Sequence, residues 1–102
     1  MPLMSDLARI NRAFATLKDK GYEVSTTEDC TSCATSIVTS NKYVYYHSQD
    51  VEHLKNDNIV LGDTFYVGWG EDGNLDEICS ALLYEGFLVI KPESTDYRIG
   101  IK

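Results

Sequence analysis

Basic residues are few and scattered: nine Lys and Arg against 16 Asp and Glu, a formal net charge of −7. That argues against direct nucleic-acid binding, and none is expected, because phosphate contacts need clustered Lys and Arg. Cysteine is scarce too, and its count of three is odd, which excludes a closed disulfide framework. Reduced thiols in a bacterial-style cytosol, and so a cytoplasmic location, are expected. No run of 18 apolar residues occurs, so neither a transmembrane helix nor a membrane partner is expected. The stretch Met1-Pro2-Leu3-Met4-Ser5-Asp6 lacks the basic and apolar regions of a signal peptide, and none is expected. The only prolines, Pro2 and Pro92, do not stand where a thioredoxin-like enzyme places one opposite its dithiol.

What the chain does have is enough apolar material for one core. At 102 residues it is a single domain, 1–102, near the common domain size. A chain of this length buries roughly 60–70% of its unfolded surface without help from disulfides or metal. Hydrophobic content of 43% and charged content of 25% are ordinary for a soluble globular protein. Seven tyrosines supply much of the aromatic volume.

Periodicity divides the chain. Leu7, Ile10, Phe14 and Leu17, with Leu3 a turn earlier, make one apolar stripe of a helix over residues 3–20. Ser5 or Asp6 caps its start and Gly21 ends it. Tyr22–Thr26 is a short strand, and Ala34–Val38 is either a helical turn or two, or a further strand. Tyr43–His47 reads as a strand with Val44 and Tyr46 on one face and Tyr43, Tyr45 and His47 on the other. Asp50 is expected to cap a short helix over Val51–Lys55. Thr64–Trp69 is the clearest strand. Asn74-Leu75-Asp76-Glu77 is a capping-box pattern opening a helix to Glu85 that buries Leu75, Ile78, Cys79 and Leu82. Phe87–Lys91 and Tyr97–Ile101 close the chain as a hairpin. Leu17, Gly21, Tyr22 and Val24 share their spacing with Leu82, Gly86, Phe87 and Val89, two helix-to-strand joints under one capping rule. This order predicts an α/β single-domain sandwich: a mixed sheet of about four to five strands, helices packed on it, and a C-terminal β-hairpin.

The densest chemistry lies between Thr26 and Asp50. Cys30-Thr31-Ser32-Cys33 is half of a zinc signature, which His47, Asp50 or His53 would complete, and no second CxxC or HxxxH exists. The same dithiol pattern suits redox chemistry, and its plain reading is two small buried thiols near a turn. His47 beside Asp50 has the groups of an acid–base pair or of a structural strand end. Gly68-Trp69-Gly70-Glu71-Asp72-Gly73 matches G-x-G-x-x-G between a strand and a helix. Against a nucleotide, Glu71 and Asp72 put negative charge where a pyrophosphate would lie, and Asn74 caps the helix only after the third Gly. Asp72-Gly73-Asn74 lacks the spacing of a calcium loop. If the strands opening at Tyr22, Tyr43 and Thr64 run parallel, their carboxyl ends bring Cys30 and Cys33, His47 and Asp50, and Trp69 and Asp72 to one sheet edge.

At Cys30-x-x-Cys33, at Tyr43-Val44-Tyr45-Tyr46-His47-x-Gln49-Asp50, and at Phe65-Tyr66-Val67-Gly68-Trp69-Gly70, the chain resembles a family of small bacterial α/β proteins of unknown function. The likeness continues through Ala81–Phe87 and Arg98-Ile99 and implies the same fold across nearly the whole chain. Where that family often carries a further Cys and a Gly around its CxxC, this chain has Asp29 and Ala34, so a third thiolate is missing.

The absence of a complete catalytic set points to a small acidic binding or regulatory protein. Its expected partner is a protein, and one form of it is an inhibitor of a basic or nucleic-acid-binding partner. The candidate binding surface is His47, Gln49, Asp50, Trp69, Glu71 and Asp72. The rival is a zinc-binding or thiol-dependent enzyme centred on Cys30, Cys33, His47 and Asp50, with Cys30, Cys33 and His47 as metal ligands and zinc as the one cofactor those residues would take.

Overall fold

The computed structural model describes residues 4–28 and 35–102. Its elements are α1 (Asp6–Asp19), β1 (Glu23–Ser25), β2 (Tyr43–Tyr45), α2 (Ser48–Glu52), β3 (Phe65–Trp69), α3 (Leu75–Tyr84), β4 (Val89–Ile90) and β5 (Ile99–Ile101). The strands form one five-stranded sheet in the order β1-β2-β3-β5-β4. Only β1 and β2 are parallel; β2–β3, β3–β5 and β4–β5 are antiparallel. The mixed α/β sheet with a closing hairpin is therefore as the sequence pattern predicts. No helix among the described residues is long and apolar enough to cross a membrane.

The two long helices form where capping and stripe agree. Ser5 Oγ accepts the Ala8 N–H at 3.1 Å at the start of α1, and Asn74 Oδ1 accepts the Glu77 N–H at 3.1 Å at the start of α3. Both helices end on a glycine at φ 95°, Gly21 and Gly86. In each, the residue after that glycine turns its N–H back to the last turn: Tyr22 to the Leu17 carbonyl at 3.1 Å, Phe87 to the Leu82 carbonyl at 3.4 Å. The shared spacing of the two joints is thus one helix-stop geometry used twice.

Alternation along the strands sets the core. Val44 and Tyr46, Phe65 and Val67, and Ile99 and Ile101 face the helices, where they meet Ile10, Phe14 and Leu17 of α1 and Ile78, Cys79 and Leu82 of α3. Each such large side chain contributes about 1.5–3 kcal/mol on burial. Phe14 stacks on Tyr46 with ring centroids 5.6 Å apart, and the Tyr46 hydroxyl donates to Asn11 Oδ1 at 2.7 Å. Cys79 is 6% exposed, the core position expected of it.

Residues 26–42 link the parallel pair β1 and β2, and the described part of the link meets β1 at Thr39. There the Thr39 N–H donates to the Glu23 carboxylate at 2.8 and 3.1 Å. The Thr39 hydroxyl donates to the same carboxylate at 2.5 Å, and that bond first, then those from the N–H, hold the Glu23 carboxyl below its ordinary value. Within this connection Thr35 and Ser36 are helical, the first of the two readings of that stretch.

The expected helix over Val51–Lys55 requires correction. The helix starts three residues earlier, with His47 in the cap position and Asp50 inside the first turn. Asp50 caps in reverse: its carboxylate accepts the His47 N–H at 3.1 Å. A carboxylate in the third helical position serves that donor as well as a side chain at the cap serves its own.

Candidate functional site

On the second face of the sheet, strand register builds two short rows. Ser25 pairs with Tyr45, and Tyr45 with Gly68. Gly68 has no side chain because the Tyr45 ring lies across it, and Gly70 is likewise covered by the Tyr43 ring and the Asn41 carbonyl. The glycines of Gly68-Trp69-Gly70 are accounted for by tyrosine packing, so no space for a phosphate is needed to explain them.

At the carboxyl end of β2, His47 and Asp50 are 6% and 8% exposed. The Arg98 guanidinium reaches from the start of β5 to both Asp50 oxygens, at 3.2 and 3.3 Å, and lies 5.3 Å from the Tyr66 ring centre. Asp50 Oδ2 also stands 3.2 Å from His47 Nδ1, yet that nitrogen is out of hydrogen-bond alignment and has no partner among the described residues. Ser25 Oγ, 1% exposed, likewise has no partner among the described residues. With Arg98 and a backbone N–H both on it, Asp50 is a structural lock with little left to give to a metal or a proton relay. Gln49 is exposed on α2.

Cys30 and Cys33 lie outside the described residues. Earlier in the chain, the Glu28 carbonyl accepts the Ser48 N–H at 2.9 Å, next to His47. Among the described residues no cluster of His, Cys, Asp and Glu is grouped to hold a metal ion.

The remaining candidates sit elsewhere. Because β3 runs antiparallel to β2, its carboxyl end returns to the start of β2. Gly70 N–H bonds the Tyr43 carbonyl at 3.0 Å and Asp72 N–H the Asn41 carbonyl at 2.9 Å. Trp69, Glu71 and Asp72 are therefore at the opposite end of the sheet from His47 and Asp50. The convergence expected of three parallel strands does not occur, since only the first pair is parallel.

That opposite end has its own chemistry. The Trp69 indole N–H donates to the Tyr97 carbonyl at 3.1 Å and ties the loop before β5 to the loop after β3. Tyr97 is 64% exposed, and Glu71, Asp72, Glu93 and Asp96 around these two loops are all exposed. None of those four carboxylates is ion-paired among the described residues. Burial, then the neighbouring Tyr45 and Glu71, push the Tyr43 hydroxyl above its ordinary value. By contrast, Arg98 is turned to Asp50 and Lys91 is paired with Asp76.

Sequence reading missed Arg98, Tyr97, Glu93 and Asp96. Arg98 carried a signal, being a lone cation one residue before the alternating Ile99 and Ile101. The others carried none, because a loop of Pro, Ser, Thr and acidic residues reads as a turn.

Fold and site together define a small α/β protein with one open-edged sheet, a buried polar lock at one end and an acidic aromatic surface at the other. Compared with family models, curated proteins and solved structures, the chain matches none.

Proposed function

We propose that this is a binding protein that captures a basic protein segment at the Trp69–Tyr97 end of the sheet. The observation that carries the reading is the indole-to-carbonyl bond between those residues, which draws two acidic loops around the half-buried Trp69 and the exposed Tyr97. Tyrosine and tryptophan offer large rigid contact area, and their faces attract guanidinium and ammonium groups. Unpaired carboxylates raise the encounter rate of a cationic partner. A regulatory or inhibitory role follows naturally for such a module, since occupying a basic surface blocks what that surface otherwise binds.

Trp69 is the single tryptophan, so its fluorescence reports on the site directly. Titration with an arginine-rich peptide is expected to change the emission saturably, with affinity falling as salt rises. An unchanged emission, or binding indifferent to salt, overturns the proposal.

One observation favours a second reading, a zinc or thiol centre at the other end. His47 Nδ1 is buried without a hydrogen bond among the described residues, next to the point where the chain enters the Cys30-x-x-Cys33 stretch. Cys30, Cys33 and His47 would supply the ligands, and zinc would act as a structural clamp or Lewis acid. Elemental analysis of protein purified without an affinity tag tests it; less than about a tenth of an equivalent of zinc rejects the metal version.

A further inference from the structure

Four of the ten large apolar side chains exposed among the described residues lie in one stretch. Leu83 is 55% exposed, Tyr84 83%, Leu88 71% and Ile90 52%. They run from the last turn of α3 into β4, the strand at the end of the sheet. The only charged residue between them, Glu85, is turned inward, its side chain 7% exposed and 3.6 Å from Arg12. Lys91, next in line, is neutralised by Asp76.

The backbone of β4 is open on one side. Leu88 and Lys102 exchange both backbone hydrogen bonds at 3.0 Å. In an antiparallel ladder such pairs alternate with pairs whose backbone groups point away from one another. Val89, which pairs with Ile101, therefore turns its N–H and C=O outward, and no strand among the described residues lies there.

We propose that β4 is the two-fold edge of a homodimer, with Val89 exchanging both outward hydrogen bonds with Val89 of a second copy. The pairing extends the sheet across the axis and makes the contact isologous. Self-complementarity selects a second copy. With Val89 on the axis, Leu88 falls opposite Ile90 of the other chain and Ile90 opposite its Leu88, an aliphatic pair on one face of the joined sheet. Charge selects it as well. Each chain carries −7, and residues 83–90 present no outward carboxylate, so two copies can meet here without facing acidic groups. A basic partner, in contrast, finds beside this edge only Asp76, already paired with Lys91.

Sedimentation velocity over a range of protein concentration and salt tests the proposal. A monomer–dimer equilibrium is expected, with the dimer favoured as salt screens the like charges. Val89→Pro removes the outward N–H and leaves the β4–β5 bonds in place, as proline on an open strand edge does. It is expected to weaken dimerisation by about tenfold or more, the scale of lost backbone bonds, with far-UV circular dichroism unchanged. Should that variant unfold, Leu88→Lys places a cation in the paired face, and the same weakening is expected. A monomer under all conditions, or a dimer that survives the folded variants, overturns the assignment. The salt response is opposite in sign to that of the Trp69 surface, so either proposal can fail without the other.

Discussion

Arg98, at the start of the last strand, grips Asp50, in the first turn of the short helix α2, at 3.2 Å across 48 positions of sequence. The same carboxylate accepts the N–H that opens α2, from His47, at 3.1 Å. One side chain thus caps a helix of five residues and ties it to the sheet. A helix that short has no stability of its own in water, so its position depends on this pair.

Asp50→Ala removes the acceptor of a buried N–H and strands the Arg98 guanidinium. A loss of about 1–3 kcal/mol is expected, the cost of leaving such donors unsatisfied. Chemical denaturation of the variant checks it. Arg98→Ala is expected to cost at least as much, because it leaves the Asp50 carboxylate, only 9% exposed, without its cation, whereas the Arg98 side chain is 33% exposed and water reaches it when Asp50 is removed.

Gly68→Ala drives a methyl group into the Tyr45 ring. The expected cost is about 1–3 kcal/mol, as for other overpacked sites. Adding Tyr45→Val vacates the space. The double variant is then less destabilised than the sum of the two single ones, and a double-mutant cycle in urea measures the difference. Strict additivity would show that the ring and Gly68 do not compete for one space.

Acid is expected to loosen the connection between β1 and β2. The folded Glu23 carboxyl sits below its ordinary value of 4.5 because Thr39 donates to its charged form. A depressed carboxyl contributes stability that is fully present above the unfolded value and is lost as pH falls through the folded one. The wild type should therefore lose stability below about pH 4.5 in excess of Glu23→Gln, and melting curves of both proteins across that range decide it. Parallel curves would remove Glu23 from the account.

Charge at the Trp69 end is expected to govern affinity and not stability. Glu71→Lys combined with Asp96→Lys should lower affinity for an arginine-rich peptide by about tenfold or more, chiefly at low salt. The melting temperature should change little, since both side chains are exposed. Equal loss after Glu52→Lys and Asp57→Lys would mean that net charge alone holds the peptide.

The pattern of the helices was legible because it is local. The stripe of Ile10, Phe14 and Leu17, the caps at Ser5 and Asn74, and the glycines at 21 and 86 each need only a few neighbouring residues to act. The two faces of β2 were legible for the same reason, as alternation is a property of one strand. At α2 the local signal misled: Asp50 is a good cap residue, and an equally local bond from the third helical position put it to different use.

Strand direction is where local reasoning stopped. Whether β3 runs with or against β2 is decided by how the connection over residues 46–64 returns, and no residue type encodes that. The consequence is functional, since it separates His47 and Asp50 from Trp69, Glu71 and Asp72. By itself the sequence determined an acidic α/β chain, its helices, the apolar face of each strand and the residue types available for chemistry. Only the tertiary structure decided which of those residues share an end of the sheet, that Asp50 is taken up by Arg98, and that Tyr97 and Asp96 join Trp69. Those relations depend on strand order and register, which are set by the packing of the whole core and not by any one segment.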